Sequence, residues 1–195
     1  MDAPIINFAG ELVALGPIRR DLLPTYQRWI NDFSVSRSLA LYPSPVSDGA
    51  EAAWYEAATV GKDRPDFTIY ERATMRPIGN TSFQKIDWVQ RRAEWGILIG
   101  EGDARGKGYG TEAARLMLDY GFTALGLNSV CLDVYEYNIP AIKAYQRAGF
   151  VETGRRRQAR WYAGRFWDVI LMDCLASEFS SPVLHRIFTP DLTRP

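Results

Sequence analysis

Arg105-Gly106-Lys107-Gly108-Tyr109-Gly110 stands between a run of strand character, Ala93 to Gly100, and an amphipathic run that opens at Thr111. A strand, loop and helix in that order line up backbone N–H groups at a helix N-terminus, a setting that binds phosphate. The glycines let the main chain approach a ligand closely, and Arg105 and Lys107 add positive charge. Spacing separates the loops that work this way. A Walker loop needs glycine five residues before the Gly-Lys pair and Ser or Thr after it, where this chain has Glu101 and Gly108. A dinucleotide fingerprint starting at Gly106 and Gly108 would need a third glycine where Thr111 stands.

A second stretch, Asn138 to Phe150, puts Asn138, Ala141 and Tyr145 at i, i+3 and i+7, on one face of a helix. Ala141 is small enough for a ligand to come close. Asn138 suits a helix N-cap or a hydrogen bond to that ligand. Tyr145 offers a hydroxyl for proton donation, or a ring for packing.

Arg-x-x-Gly-x-Gly, from Arg105 to Gly110, and Asn-x-x-Ala-x-x-x-Tyr-x-x-x-Gly-Phe, from Asn138 to Phe150, resemble two signatures of the GNAT superfamily of N-acetyltransferases, in the same order. The resemblance covers about Leu12 to Phe179. It implies an α/β (α+β) fold: a central, mixed but mostly antiparallel sheet with helices on both faces, splayed between the strand before the loop and the next strand. It implies acetyl-CoA as acetyl donor. Arg105, Gly106, Lys107, Gly108, Tyr109, Gly110 and Thr111 would hold the pyrophosphate. Ile97, Leu98 and Ile99 would pair with the pantetheine arm, Asn138 and Ala141 would line it, and Tyr145 would act as general acid toward the departing sulfur. The implied reaction is direct attack by an amine in a ternary complex, the acceptor being a small molecule or a protein N-terminus. The alternative is a noncatalytic acyl-CoA-binding sensor, for which Tyr145 would be dispensable.

An amine is mostly protonated at neutral pH, so a base must take its proton. Glu94, at the start of the strand before the loop, is the leading choice, ahead of Asp133 and Glu136. Arg92-Ala93-Glu94-Trp95-Gly96 and Gly164 to Met172 resemble the RimJ/RimL-type branch, although Ile97 stands where that branch often has an aromatic residue. Trp29, Tyr42, Trp54, Trp88, Trp161 and Tyr162 are candidates for an acceptor pocket or for the core. Arg155, Arg156, Arg157 and Arg160 would attract an acidic acceptor or form a solvated charge run.

The elements that must position these residues follow from pattern. Glu11 to Leu15 reads as a strand ended by Pro17, followed by a helix capped at Asp21 and stopping near Asn31. Ser38 to Pro45 reads as a loop, and a helix follows Asp48. Asp66 to Arg72, Ile78 to Val89 and Ala93 to Gly100 make three antiparallel strands. A helix from Thr111, a strand at Ser129 to Glu136, a helix from Pro140 to Gly149, a strand from Phe150 and a last strand at Trp167 to Leu175 complete the order. One domain over 11–179 and an arm over 180–195 result.

The 23 basic and 23 acidic residues balance, which argues against nonspecific nucleic-acid binding. Cys131 and Cys174 lie in apolar runs, as small buried residues of a reducing compartment do. With no apolar run near membrane-spanning length, the reading is cytoplasmic and without membrane contact. His185 stands alone and no metal is expected. A homodimer is compatible with the resemblance.

Overall fold

The computed structural model describes residues 3–39, 44–60 and 64–191. Eight strands form one sheet in the order β1-β2-β3-β4-β5-β6-β8-β7. These are β1 (Phe8–Ala9), β2 (Val13–Pro17), β3 (Asp66–Glu71), β4 (Arg76–Asp87), β5 (Arg92–Ile99), β6 (Ser129–Tyr135), β7 (Val151–Tyr162) and β8 (Arg165–Leu175). The helices are α1 (Leu23–Asn31), α2 (Phe33–Ser36), α3 (Asp48–Val60), α4 (Tyr109–Asp119) and α5 (Ile139–Ala148). Every neighbouring pair is antiparallel except β5 and β6, which run parallel. The implied mixed, mostly antiparallel sheet is thus present. Among the described residues, no helix is long and apolar enough to cross a membrane.

Strand alternation divides the sheet between two cores. Phe67, Ile69, Phe83, Ala93, Trp95, Val130, Leu132 and Met172 face α4 and α5, where Ala113, Met117 and Phe150 meet them. On the other face, Ala14 and Tyr70 pack under Tyr26 and Trp29 of α1 and Ala58 of α3. Trp29 is 1% exposed, and its indole Nε1–H donates to Glu101 at 2.9 Å, just past β5. Arg28 reaches the same carboxylate oxygen at 2.5 Å. Gly100 makes this approach feasible, because a Cβ there would lie 2.2 Å from the Trp29 ring.

Several boundaries differ from the sequence pattern, each for a local reason. Asp21 does not cap α1: its carboxylate binds the Arg19 guanidinium at 2.6 Å, a 3-10 turn covers Arg20–Leu22, and the helix starts at Leu23. Pro17 ends β2 as a paired edge residue opposite Phe67. The helix expected from Thr111 starts two residues earlier, because Gly108 takes the N-cap in a left-handed conformation. Beyond Asp119 it continues as a π-helical turn, Tyr120–Ala124. The short elements β1 and α2 carry too few residues to show a period. Residues 40–43 of the expected loop lie outside the described residues.

The arm beyond residue 179 is seated on α4. Asp119, fully buried, accepts from Ser181 Oγ at 2.5 Å, from the Val183 and Leu184 N–H groups at 2.9 Å each, and from Thr123 Oγ1 at 2.8 Å. Charge-assisted bonds of this kind contribute about 1.5–3 kcal/mol each, and a buried carboxylate without them would be strongly destabilising. Leu184 is buried against the main core as a result.

Gly100→Ala forces a methyl into the Trp29 ring, and overpacking of this sort costs about 1–3 kcal/mol or more. A lowered urea midpoint with an unchanged slope is the expected result. An unchanged midpoint would show that α1 does not rest on the end of β5 as described.

Candidate active site

The glycine-rich loop closes the gap between β5 and α4. Gly106 (φ 74°) and Gly108 (φ 87°) both take the left-handed conformation, open to glycine at little cost. The first intrahelical bond of α4 runs from Glu112 N to Gly108 O at 3.0 Å. The N–H groups of Tyr109, Gly110 and Thr111 therefore precede the helical ladder and point out of its positive end. Gly110 has a helical backbone, and a Cβ there would meet only Ile99 at 3.9 Å, so the fold itself does not call for glycine. Its missing side chain leaves open space beside three N–H groups. Arg105 donates to Ile99 O at 3.3 and 3.4 Å, and Lys107 is exposed beside the loop.

Two contacts that local pattern does not reveal hold this loop in place. Tyr109 OH donates to Glu71 of β3 at 2.6 Å, which raises the phenol above its ordinary pKa and lowers the carboxylate with help from Thr74. The Glu112 carboxylate accepts from the N–H groups of Glu11, Leu12 and Val13 at 2.9, 2.7 and 2.6 Å. A side chain in the first turn of α4 thus satisfies the backbone at the start of β2, about 100 residues away in sequence. A lone glutamate on a helix carries no mark of such a role.

Below the loop the sheet divides. β5 and β6 pair only through Arg92 with Ser129, Ala93 with Val130 and Glu94 with Cys131. From Trp95 to Ile99, β5 is paired with β4 on one side and has no strand on the other. The expected splay lies here; alternation along β5 turns the backbone groups of Ile97 and Ile99 toward the free edge and those of Leu98 toward β4, and Ile99 O accepts from Arg105. Trp95 anchors the branch point through Nε1–H to Thr81 Oγ1 at 2.7 Å, and that hydroxyl donates to Gly96 O at 2.9 Å.

Tyr145 stands edge-on to Trp95, with ring centroids 5.3 Å apart. Of the two residues expected to share its face, Ala141 packs on the same core, and Asn138 is the N-cap of α5. Asn138 Oδ1 accepts from Ala141 N at 3.4 Å. Burial pushes the Tyr145 phenol up to about 12. It therefore stays protonated in the folded chain where an unfolded tyrosine ionises, near pH 10. The stability this contributes is complete below about pH 10 and is lost as pH rises through the folded value.

Glu94 lies on the other face of β5 from Trp95, opposite Gln84 and Cys131 in register, and pairs with Lys85 at 2.7 Å. Asp133 is on that same open face, ion-paired with Arg156. Glu136 accepts from Asp168 N at 3.3 Å and faces Arg155 at 3.5 Å. Cys131, expected to be buried, is exposed there because its place in the alternation of β6 turns it away from the core; Cys174 is buried as expected.

The remaining candidates disperse. Trp29 belongs to the core, Trp54 packs edge-on against Tyr26, and Trp88 is exposed. Tyr42 lies outside the described residues. Trp161 pairs with Phe166 at the tip of the β7–β8 hairpin, whereas Tyr162 stacks on Tyr137 with centroids 4.6 Å apart. Arg155 binds Glu152 at 2.7 Å, Arg157 is exposed, and Arg160 lies over the Tyr135 ring. His185 is exposed on the arm, and among the described residues no group of His, Cys, Asp and Glu is arranged to hold a metal. A cavity of about 310 Å³ between Phe8, Phe67, Tyr120, Leu184 and Phe188 lies away from the loop and the splay.

Loop, splayed sheet and tyrosine together define a class, that of the GNAT acyltransferases. The profile of the acetyltransferase (GNAT) domain matches residues 13–151, and the chain belongs to that family. It is 31% identical to spermidine N(1)-acetyltransferase of Escherichia coli strain K12 over 172 residues, 84% of this chain and 86% of that protein. It is 35% identical over 114 residues to the uncharacterized N-acetyltransferase p20 of Bacillus licheniformis, where the match spans 58% of this chain and 64% of the relative. The solved spermidine N-acetyltransferase of Vibrio cholerae, in complex with CoA and spermine, superposes with a TM-score of 0.79 at 26% identity, covering 87% of this chain and 98% of that one.

Gly110→Val fills the space beside the helix N-terminus without a clash inside the protein. The expected outcome is at least a tenfold weaker Kd for coenzyme A by calorimetry, with a melting temperature within a few degrees of the parent. Unchanged affinity would mean that the pyrophosphate binds elsewhere.

Proposed function

We propose that the chain transfers the acetyl group of acetyl-CoA to a primary amine by direct attack in a ternary complex. The observation that carries this reading is the free β5 edge from Trp95 to Ile99, with the phosphate-type loop at one end and Tyr145 beside it. Bound there, acetyl-CoA supplies an activated thioester carbonyl. Tyr109, Gly110 and Thr111 present N–H groups to the pyrophosphate, Arg105 and Lys107 add charge, and Ile97 and Ile99, on either side of Leu98, turn backbone toward the amide arm. A β5 N–H beside the carbonyl takes the charge that builds on its oxygen.

Tyr145 acts on the sulfur. A phenol near 12 is about 3.5 units weaker an acid than an ordinary thiol near 8.5, so complete proton transfer to a thiolate would be uphill by roughly 5 kcal/mol. The tyrosine therefore works as a hydrogen-bond donor to the leaving sulfur, and the proton released by the amine completes the thiol. Glu94, on the open face, attracts the incoming ammonium and takes through water the separate proton that the ammonium loses before it attacks.

Acceptors in view are small-molecule amines and protein N-termini. Relatives named for spermidine support the former. Arg92 to Gly96 and the β8 segment Arg165 to Met172 support placement in the RimJ/RimL-type branch.

Thiol release from acetyl-CoA, followed across a panel of amines, tests the reading. Turnover with at least one amine is expected, and tight acetyl-CoA binding with no release for any amine would establish a noncatalytic binder instead. Tyr145→Phe should lower kcat by about 10²-fold or more with little change in KM for acetyl-CoA. In the parent, kcat/KM should rise with pH as the amine loses its proton and show no alkaline fall from the tyrosine below about pH 11. A fall centred near pH 9 would assign the sulfur's partner to another group.

A further inference from the structure

The wide end of the splay is walled, on the face away from α4 and α5, by side chains that acetyl transfer leaves unused. β6 ends at Tyr135, which alternates with Asp133 and Cys131 on that open face. Tyr135 OH donates to Leu39 O at 3.3 Å and Tyr137 OH to Arg37 O at 2.8 Å. The segment after α2 is therefore tied to the end of β6. Tyr137 stacks between Tyr135 and Tyr162, and its edge meets Trp167.

Three guanidinium groups sit against this aromatic wall: Arg165 lies over the Trp167 ring, 3.4 Å from its centroid, and the other two are Arg160 and Arg37. Arg160 lies over the Tyr135 ring, 4.6 Å from its centroid, and its Nε is buried without a hydrogen-bond partner among the described residues. Arg37 donates from Nη1 to Tyr162 OH at 3.3 Å. The nearby carboxylates are engaged elsewhere: Asp133 with Arg156, Glu136 with Arg155 and Asp168 N, and Asp168 with Gln158 N at 2.9 Å. Among the described residues, neither Arg37 nor Arg160 has a carboxylate within ion-pair distance, and residues 40–43, Ala-Leu-Tyr-Pro, contain none. Half-buried guanidinium without a counter-ion suits a ligand that brings one, since planar donor forks match carboxylate and phosphate.

The wall also stands where an acceptor must pass. The core face of the splay is filled by Trp95, Tyr145 and Phe150. An amine then reaches the free edge of β5 from the open face, past Tyr135 and the segment after α2.

We infer that the acceptor amine carries an anionic group, a carboxylate or a phosphate, which Arg160 and Arg37 hold at the wide end of the splay. This rests on the acetyl-transfer reading above, and it sets the chain apart from relatives named for a polycationic acceptor.

The test compares acceptors matched except for the anion: glycylglycine against glycylglycinamide, and phosphoethanolamine against ethanolamine, with spermidine as the polycation. In at least one pair, kcat/KM for the anionic member should exceed that of its neutral partner and of spermidine by tenfold or more. Which pair responds tells carboxylate from phosphate. Arg160→Met should erase that ratio through KM, with kcat for the anionic acceptor changed little and coenzyme A affinity kept, and Arg160→Lys should restore part of it. Arg37→Ala, at an exposed position, should reduce the ratio even if loss of Arg160 disturbs packing on Tyr135. Preference for spermidine, equal rates within both pairs, or a ratio unmoved in both the Arg160→Met and the Arg37→Ala variants overturns the acceptor inference alone. Binding of acetyl-CoA without acetylation of any of these amines overturns the acetyl-transfer reading with it.

Discussion

The site depends on β5 and β6 ceasing to pair after Glu94. Unpaired strand edges are costly, since each buried N–H and C=O without a partner forfeits a hydrogen bond. Two neighbouring strands in one sheet would ordinarily stay together. Here Trp95, fixed by Thr81 and stacked on Phe150, stands at the branch point, with Tyr145 edge-on beside it. The core face at the branch point is thus filled by three mutually packed rings. The free edge of β5 then becomes an acceptor and donor array of the right length for an extended ligand.

Everything else fixes the borders of that gap. The Glu101 carboxylate holds α1 at the far end of β5, with Gly100 providing the close approach. Tyr135 and Tyr137 draw the segment after α2 against the end of β6. The gap is consequently framed on one face by a packed core and on the other by a thinner rim of tyrosine, tryptophan and arginine.

What could be read from sequence was what depends on neighbours along the chain. The loop from Arg105 to Gly110 and the spacing of Asn138, Ala141 and Tyr145 are local patterns; the loop leads into the N-terminus of α4, and Ala141 and Tyr145 lie on α5 with Asn138 as its N-cap. The strands of the central sheet were legible for the same reason, through alternation of apolar residues. Asp21 misled because its guanidinium partner two residues back outcompeted the helix backbone. Cys131 misled because an apolar run does not say which strand positions face the open side. Glu112, Asp119, Tyr135 and Tyr137 gave no signal at all, their partners lying between 62 and 101 residues away. Glu94 stood out in the sequence as a carboxylate at the start of β5, but its pairing with Lys85 did not.

The two carboxylates on α4 have a joint mechanical meaning. Glu112 grips the start of β2 from the first turn of the helix, and Asp119 grips the C-terminal arm from its last turn. Pinned at both ends to different parts of the chain, α4 can neither slide along its axis nor rotate about it without breaking several carboxylate hydrogen bonds at once. The phosphate-binding end is accordingly a fixed reference point. On the opposite bank, α1 is held by the Glu101 carboxylate and by the packing of Tyr26 and Trp29 on the sheet, whereas the segment after α2 is tied to the end of β6 by two tyrosine hydroxyls.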